Sequence, residues 1–457
     1  MTTTKSLFNK KEFLSITVVQ MLGIFGGVLA LFIDSLFIGH FYDNTALAAY
    51  GLVNPISLFV ALIGGVLSQG VQVVCGKAAG QNNWARINKV LALVITLCIY
   101  ISVVFTLICT IGASPVTTLL GAPNSDVALK ALTMEYLIGY ALGTPAMCIV
   151  LVLTPFYILD NNKSYIAKSI MVMLVVNVLF DYLNVVFFKQ GLFGIGIAST
   201  ISNYASLIPI AYSIINKKTN LSFKSKNIQW HYIKDIFNYG HIYGLYKLCR
   251  VFTPLVINRL LMNTSGADGV AAFSIISSVS LVTNSLISGI GSTMMLYTGR
   301  FFGEKNILGI KQIIKTSILC SVIINSICIV IVFISAQGLA HLFSDGHETV
   351  VSLATLGLRL YVLSMIVNSI NYILRNYYNC INKKSLTYTI CILDNFVMVA
   401  LVAIALSYII GVTGIWLSWV IGQTLTLLYI LIYLSVKNHS IKLSWDKILM
   451  TSELFCD

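Results

Sequence analysis

Apolar residues run along this chain in long unbroken stretches separated by short polar or basic segments. A membrane barrel would show alternating segments of about ten residues instead. A helix takes roughly 20 apolar residues at ~1.5 Å each to cross ~30 Å of hydrocarbon, and it satisfies its own backbone hydrogen bonds on the way. The pattern predicts twelve such spans, at about residues 14–39, 48–75, 90–112, 132–159, 165–188, 191–216, 238–262, 270–298, 313–336, 352–379, 386–409 and 411–436. The first run is too long for a cleavable leader, lacks a small-residue cleavage pattern and precedes many like it, so it reads as a retained span. The expected fold class is an all-α polytopic membrane protein.

The polar punctuation repeats. A shift of 223 residues lays Gly76 to Gln81 (GKAAGQ) over Gly299 to Glu304 (GRFFGE), and Ala48-Ala49-Tyr50 over Ala271-Ala272-Phe273. A shift of 220 lays Gly191 to Ile195 (GLFGI) over Gly411 to Ile415 (GVTGI), and Asn162-Lys163-Ser164 resembles Lys383-Lys384-Ser385 at a nearby shift. The chain thus reads as an N-lobe of six spans (1–216), a basic cytoplasmic linker (217–237), a C-lobe of six spans (238–436) and a cytoplasmic tail (437–457). Six is even, so both copies begin on the same side, as parallel repeats related by a pseudo-two-fold axis along the membrane normal and facing a central cleft. Each GxxxG pair falls at a cytoplasmic helix end, where turn-making or close packing explains it better than a dimer motif.

Composition changes this picture little: 57% hydrophobic and 10% charged residues exclude an ordinary soluble protein. Charge orients it. With a cytoplasmic N-terminus, the inside segments collect nearly all the basic residues, among them Lys5, Lys10, Lys11, Lys217, Lys218, Lys224, Lys226, Arg300, Lys311, Arg375, Lys383, Lys384 and Lys442, while the outside loops keep Lys130 and Lys189. This asymmetry puts both termini in the cytoplasm of a plasma (inner) membrane protein and accounts for most of the formal +13 without nucleic acid. The linker reads as an orienting connector rather than a site for anionic lipid. The ten cysteines, Cys75, Cys98, Cys109, Cys148, Cys249, Cys320, Cys328, Cys380, Cys391 and Cys456, lie mostly within apolar runs with no CxxC spacing, so they read as packing residues, with no disulfide framework, structural zinc or cofactor.

Ionisable residues left within spans are Asp34, Glu135, Asp181, Lys247, Arg250, Arg259, Arg359 and Asp394. Each costs roughly 2.5–3.5 kcal/mol near a helix centre and should face protein or water. For Glu135, Arg259 and Arg359 a structural pairing or an interfacial position is the favoured reading. Asp34 and Asp181 stand roughly 30 and 24 Å along two spans that run the same way, so they can share one pocket in the outer half. Asn177, Asp181 and Asn184 recur at i, i+4 and i+7 and so share one helical face. Such a carboxylate can carry a proton. With Asn177 and a hydroxyl from Ser199 or Thr200 it can instead hold Na⁺ among hard oxygen ligands. In the C-lobe, Asp394 is expected to pair with Lys247 or Arg250. Tyr50, Asn184, Tyr246, Lys247, Arg250, Asn258, Phe273 and Asp394 are the candidate lining of a substrate cavity.

Three stretches in order, IDSLFIGHFYDNTALAAYGLVNPI, GKAAGQNNWARINKV and LDNNKSYIAKSIMVMLVVNVLFD, together with the duplication, resemble the multidrug and toxic compound extrusion (MATE) family, nearest its prokaryotic DinF-like and MepA-like branch. The resemblance covers the whole chain. It implies a monomeric antiporter of two six-helix lobes that expels small amphiphilic, often cationic compounds in exchange for H⁺ or Na⁺, with the family's first-span acid at Asp34, its fifth-span pair at Asn177 and Asp181, and its sixth-span hydroxyl at Thr200 ahead of Ser199. Two departures stand out: Ile158-Leu159-Asp160-Asn161 replaces the usual RxDG turn, and Gly26-Gly27 stands where many members have proline, leaving paired glycines to permit a bend. Lys247 and Arg250 are unusual in a pump of cations and point to an anionic or zwitterionic substrate. The rival within transport is a flippase of lipid-linked oligosaccharide or another lipid-linked precursor. An intramembrane enzyme lacks any motif to support it.

Overall fold

A computed structural model describes residues 8–122, 124–222, 228–343, 348–439 and 444–455. Cys456 and the basic residues Lys5, Lys224, Lys226 and Lys442 lie outside them. The elements are α1 (Lys10–Phe41), α2 (Asn44–Gly80), α3 (Trp84–Ile111), the short α4 (Ala113–Leu119), α5 (Val127–Ala141), α6 (Thr144–Leu159), α7 (Lys163–Leu183), α8 (Gly191–Ala205), α9 (Leu207–Ile215), α10 (Tyr232–Gly303), α11 (Ile307–Phe343), α12 (Glu348–Cys380), α13 (Lys384–Ile392), α14 (Met398–Ile410), α15 (Val412–Lys437) and α16 (Trp445–Ile448). Ten stretches among the described residues are long and apolar enough to cross a membrane, and the pair α5 and α6, bent by 43°, makes an eleventh. The twelfth comes from α10. At 72 residues it is broken at Gly266, whose φ of 64° and ψ of −151° only glycine adopts readily. The twelve-span expectation therefore holds, with the seventh and eighth spans meeting at a glycine hinge rather than at a loop.

Residues 14–240 form one compact unit, and residues 241 onward, with residues 8–13, form the other. Each carries six spans. In the first, Val71, Leu91, Val94, Val152 and Phe156 form one buried cluster, and Ile38, Val53, Tyr136, Leu137 and Ile195 form another. In the second, Phe273 stacks on Trp416 and Trp419 amid Ile257, Leu261, Ile276 and Leu358. Around these cores, residues such as Leu319, Ile323, Ile327, Val330 and Ile334 of α11 lie exposed at helical spacing, as a lipid-facing stripe does. All nine described cysteines are free thiols.

The repeat is built into the turns. Asn82 and Lys305 both take the left-handed conformation (φ 53° and 52°). The following Asn83 and Asn306 bond back to Ala78 and Phe301 at 2.8 Å, and their side chains cap the next helix through Arg86 and Gly309. The second glycine of each GxxxG motif is the last residue of its helix, so the turn itself is made two residues later. Asn161 and Asn382 form a second matched pair (φ 59° and 63°), and Gly191 and Gly411 a third, both at φ 61°. The fifth span of each unit also contains a wide π turn, Asn184–Phe188 and Leu393–Val397, carrying buried Asn184 and Asp394 respectively.

The tail folds back onto the second unit. Tyr377 and Tyr378 donate hydroxyl hydrogen bonds to Leu449 O (2.6 Å) and Ile448 O (2.8 Å), and Lys315 lies 5.3 Å over the Trp445 ring. Lys311 pairs with Asp446, while Lys383 and Lys437 clamp Glu453 at 2.7 Å each. These lysines hold both carboxyls below their usual range, Asp446 chiefly through Lys311 and Glu453 through Lys383 and then Lys437. A lowered carboxylate contributes stability above its ordinary pKa and loses it as pH falls through the depressed value, so the clamp loosens only in acid. The two half-exposed pairs at Glu453 contribute roughly 0.2–1 kcal/mol each. Replacing Lys383 and Lys437 together by Met should raise amide hydrogen exchange in residues 444–455 several-fold at pH 7 and leave the spans unchanged. Unaltered exchange there would mean that the tyrosine bonds, with Lys311 and Lys315, hold the tail without the Glu453 clamp.

Candidate functional site

Helices α1 and α7 approach closely because Gly26 has no side chain. A Cβ there would sit 2.9 Å from Ile170 Cγ2, and one at Gly23 would sit 3.4 Å from Ile170 Cδ1. Two turns on, at i+8 from Gly26 and i+7 from Ile170, the same two faces carry Asp34 and Asn177. Asn177 Nδ2 donates to Asp34 Oδ1 at 3.1 Å. Through Gly26 and Gly27 α1 continues as helix, and of the two glycines it is Gly26 that serves the packing.

A second close crossing brings the other donors. At Gly139 of α5 a Cβ would meet Phe193 O at 2.7 Å, and at Gly196 of α8 one would meet Tyr140 N at 2.8 Å. One turn either side of this crossing, Tyr136 and Ser199 reach Asp34 Oδ2, with hydroxyls at 3.3 and 2.7 Å. Asp34 is thus 1% exposed and accepts three hydrogen bonds from three helices. Asp181, fully buried one turn beyond Asn177, is near enough to interact electrostatically with Asp34. Both Asp181 oxygens and Asn177 Oδ1 lack a hydrogen-bond partner among the described residues.

Of the residues expected to bind the ion, Asp34, Asn177, Asp181 and Ser199 come together. Thr200 does not join them. Its hydroxyl donates to Gly139 O at 2.6 Å, because one residue of helix turns a side chain by roughly 100° and aims it at the α5 backbone. Tyr136 was not anticipated, although the Tyr136 and Tyr140 hydroxyls, spaced i, i+4 within a span, were a readable signal. Glu135 is exposed near Gly191 and lies outside the site.

The remaining cavity candidates scatter. Asn184 is spent on the turn after α7, donating to Tyr42 Oη (3.2 Å) and Gly191 O (3.0 Å) and accepting from Gln190 N (3.1 Å). Tyr50 packs edge-on to Tyr136 and donates to Leu31 O at 2.6 Å, which ties it to the Asp34 neighbourhood. Leu29, Ile33 and Phe37 of α1 and Leu174, Val178 and Tyr182 of α7 line an apolar groove of about 570 Å³ along the same two helices. Phe273 belongs to the aromatic core of the second unit, and Asn258 is half-buried with Oδ1 unpartnered among the described residues.

In the second unit, Tyr246 accepts from Arg250 at 2.9 Å, and Lys247 lies 5.2 Å over Tyr243. The expected ion pair of Asp394 with Lys247 or Arg250 is not formed. Among the described residues no cation stands within ion-pair distance of Asp394, whose Oδ1 is instead held by Asn371 Nδ2 at 2.6 Å. The cation nearest this centre is one that sequence reading placed at the cytoplasmic surface. Arg375, 3% exposed on α12, packs against the rings of Tyr246 (4.4 Å) and Tyr372 (4.6 Å). Its signal was the spacing of Asn371 and Arg375, the same i, i+4 polar stripe that had marked Asn177 and Asp181.

The MatE family model matches the chain twice, over residues 17–183 and 245–409, once in each unit. The chain is 24% identical over 378 residues to the multidrug export protein MepA of Staphylococcus saprophyticus, covering 79% of this chain and 80% of that protein. It is 22% identical over 347 residues to the probable multidrug resistance protein YoeA of Bacillus subtilis, covering 73% and 71%. A crystal structure of MATE in complex with MaL6 shares the fold with a TM-score of 0.84 at 17% identity, over 92% of this chain and 94% of that one.

The α1–α7 approach can be tested by size. Gly26→Val should force the helices apart and cost about 1–3 kcal/mol, read as a lower melting temperature in detergent. Gly27→Ala, with nothing within 4 Å of the added carbon, should be neutral or slightly stabilising. Equal effects at the two positions would show that the approach does not depend on Gly26.

Proposed function

The chain belongs to the MATE family of membrane transporters, and we propose that it is a secondary antiporter that exports small amphiphilic compounds in exchange for H⁺ or Na⁺, by alternating access of its two six-helix lobes. The observation that carries this reading is the set of buried acceptors around Asp34: two carboxyls in contact range, with Asn177 Oδ1 and both Asp181 oxygens lacking donors among the described residues. Two such carboxylates within the membrane call for a cation or a proton between them. Asp34, Asn177, Asp181 and Ser199 supply hard oxygens suited to either. The export activity printed for the multidrug relatives supports the direction of transport.

In this mechanism an ion from the outer side neutralises the Asp34 and Asp181 pair. Hydrogen bonds that held an ionised Asp34 to Asn177, Ser199 and Tyr136 weaken, α1 repacks against α7, and substrate leaves outward. Return to the inward state carries the ion in. The basic residues clustered in the predicted inside segments support a cytoplasmic position for both termini.

Asp34→Asn keeps the size and hydrogen-bonding capacity of the side chain but takes up no charge. In proteoliposomes it should reduce ion-driven dye efflux at least tenfold, to background, with normal insertion and melting temperature. Pumping at the unmutated rate would overturn the proposal. Imposing H⁺ and Na⁺ gradients separately on the unmutated protein identifies the coupling ion.

A further inference from the structure

The second unit holds a buried charge that the ion-coupling reading does not use. The Arg375 guanidinium packs against the rings of Tyr246 and Tyr372, 4.4 and 4.6 Å from their centroids, and its Nε and Nη2 share one edge for hydrogen bonding. On that edge Nη2 makes one long bond, 3.3 Å, to Asn376 Oδ1, while Nε has no partner among the described residues. Asn376 Nδ2, beside it, is likewise unpartnered. Nε and Nη2 together form the fork that grips a carboxylate or phosphate with two parallel hydrogen bonds.

The surroundings reinforce the sign. Arg250, its guanidinium 5.7 Å over the Tyr246 ring, and Lys247 nearby are half-buried, so the cluster contains three cations. Its carboxylate, Asp394, is held by Asn371 and forms no ion pair among the described residues. The cluster therefore carries a net excess of two positive charges in a setting where an isolated charge is expensive. Burying donors without acceptors costs roughly what a bound anion would return. Tyr243, Leu245 and Ile287 pack around the same rings and offer apolar surface for the body of an amphiphile.

We propose that this cluster is a binding site for the acidic group, carboxylate or phosphate, of an amphiphilic substrate, with Arg375 as the anchor and Arg250 as a second contact. The assignment deepens the efflux reading and rests on it only for what happens to the molecule once bound. It separates this chain from a pump for plain cations, which would meet three like charges here.

A matched pair of dyes tests it: rhodamine 110, which has a free carboxylate, and rhodamine 123, its methyl ester. Binding to the purified full chain, read by fluorescence polarisation in detergent, needs no gradient. The acid should bind at least tenfold tighter than the ester, the return from one charge-assisted fork. Arg375→Gln should erase that preference, Arg375→Lys should keep part of it, and Arg250→Gln, at a half-buried position and so safer for folding, should reduce it. A preference for the ester, or an acid preference untouched by both Gln variants, overturns the assignment. Gradient-driven dye efflux is scored separately, so acid-selective binding without efflux leaves this site standing and removes the antiport reading, and efflux without acid selectivity does the reverse. A third arm follows dithionite-accessible NBD-phosphatidylglycerol in proteoliposomes. Arg375-dependent flipping of that lipid, with no tight binding of rhodamine 110, assigns the same acidic-group site to a lipid headgroup.

Discussion

Much of the first unit is organised around the distance between two helices. Because Gly26 lets α1 lie against Ile170 of α7, the next two turns bring Asp34 against Asn177 and within reach of Asp181. A larger residue at 26 would separate these groups before any question of charge arose. The α5–α8 crossing at Gly139 and Gly196 does the same for Tyr136 and Ser199. A carboxylate that would otherwise be prohibitive in hydrocarbon is thus enclosed by three donors from three helices. Among the described residues the arrangement leaves the neighbouring Asp181 without donors, the imbalance on which the proposed antiport rests.

The spans were legible because lipid imposes a simple rule on the sequence: long apolar runs, internally bonded. The duplication was legible because the turns at Asn82 and Lys305, and at Gly191 and Gly411, reuse one backbone geometry and therefore similar residues. What sequence could not supply was rotation about a helix axis. Ser199 and Thr200 are adjacent hydroxyls on one helix, yet only one faces Asp34. Arg375 lies near a helix end predicted to be cytoplasmic, where the count of basic residues absorbed it as an orienting charge, and only its packing against Tyr372, one turn earlier on α12, and Tyr246, distant in sequence, reveals it as buried. The folded-back tail was hidden for a similar reason, since its partners Lys311, Lys383 and Lys437 all read as surface charge.

The two units share a skeleton and differ in sign. Each has matched left-handed turns and a π turn in its fifth span, which marks common ancestry by duplication. Onto that skeleton the first unit places two carboxylates and the second places Arg250, Arg375 and Lys247 around a single Asp394. A symmetric repeat has no reason to charge its halves oppositely unless the halves bind different things. Acids suit a site that takes up H⁺ or Na⁺, and a buried guanidinium packed against two tyrosine rings suits a site that takes up an anion.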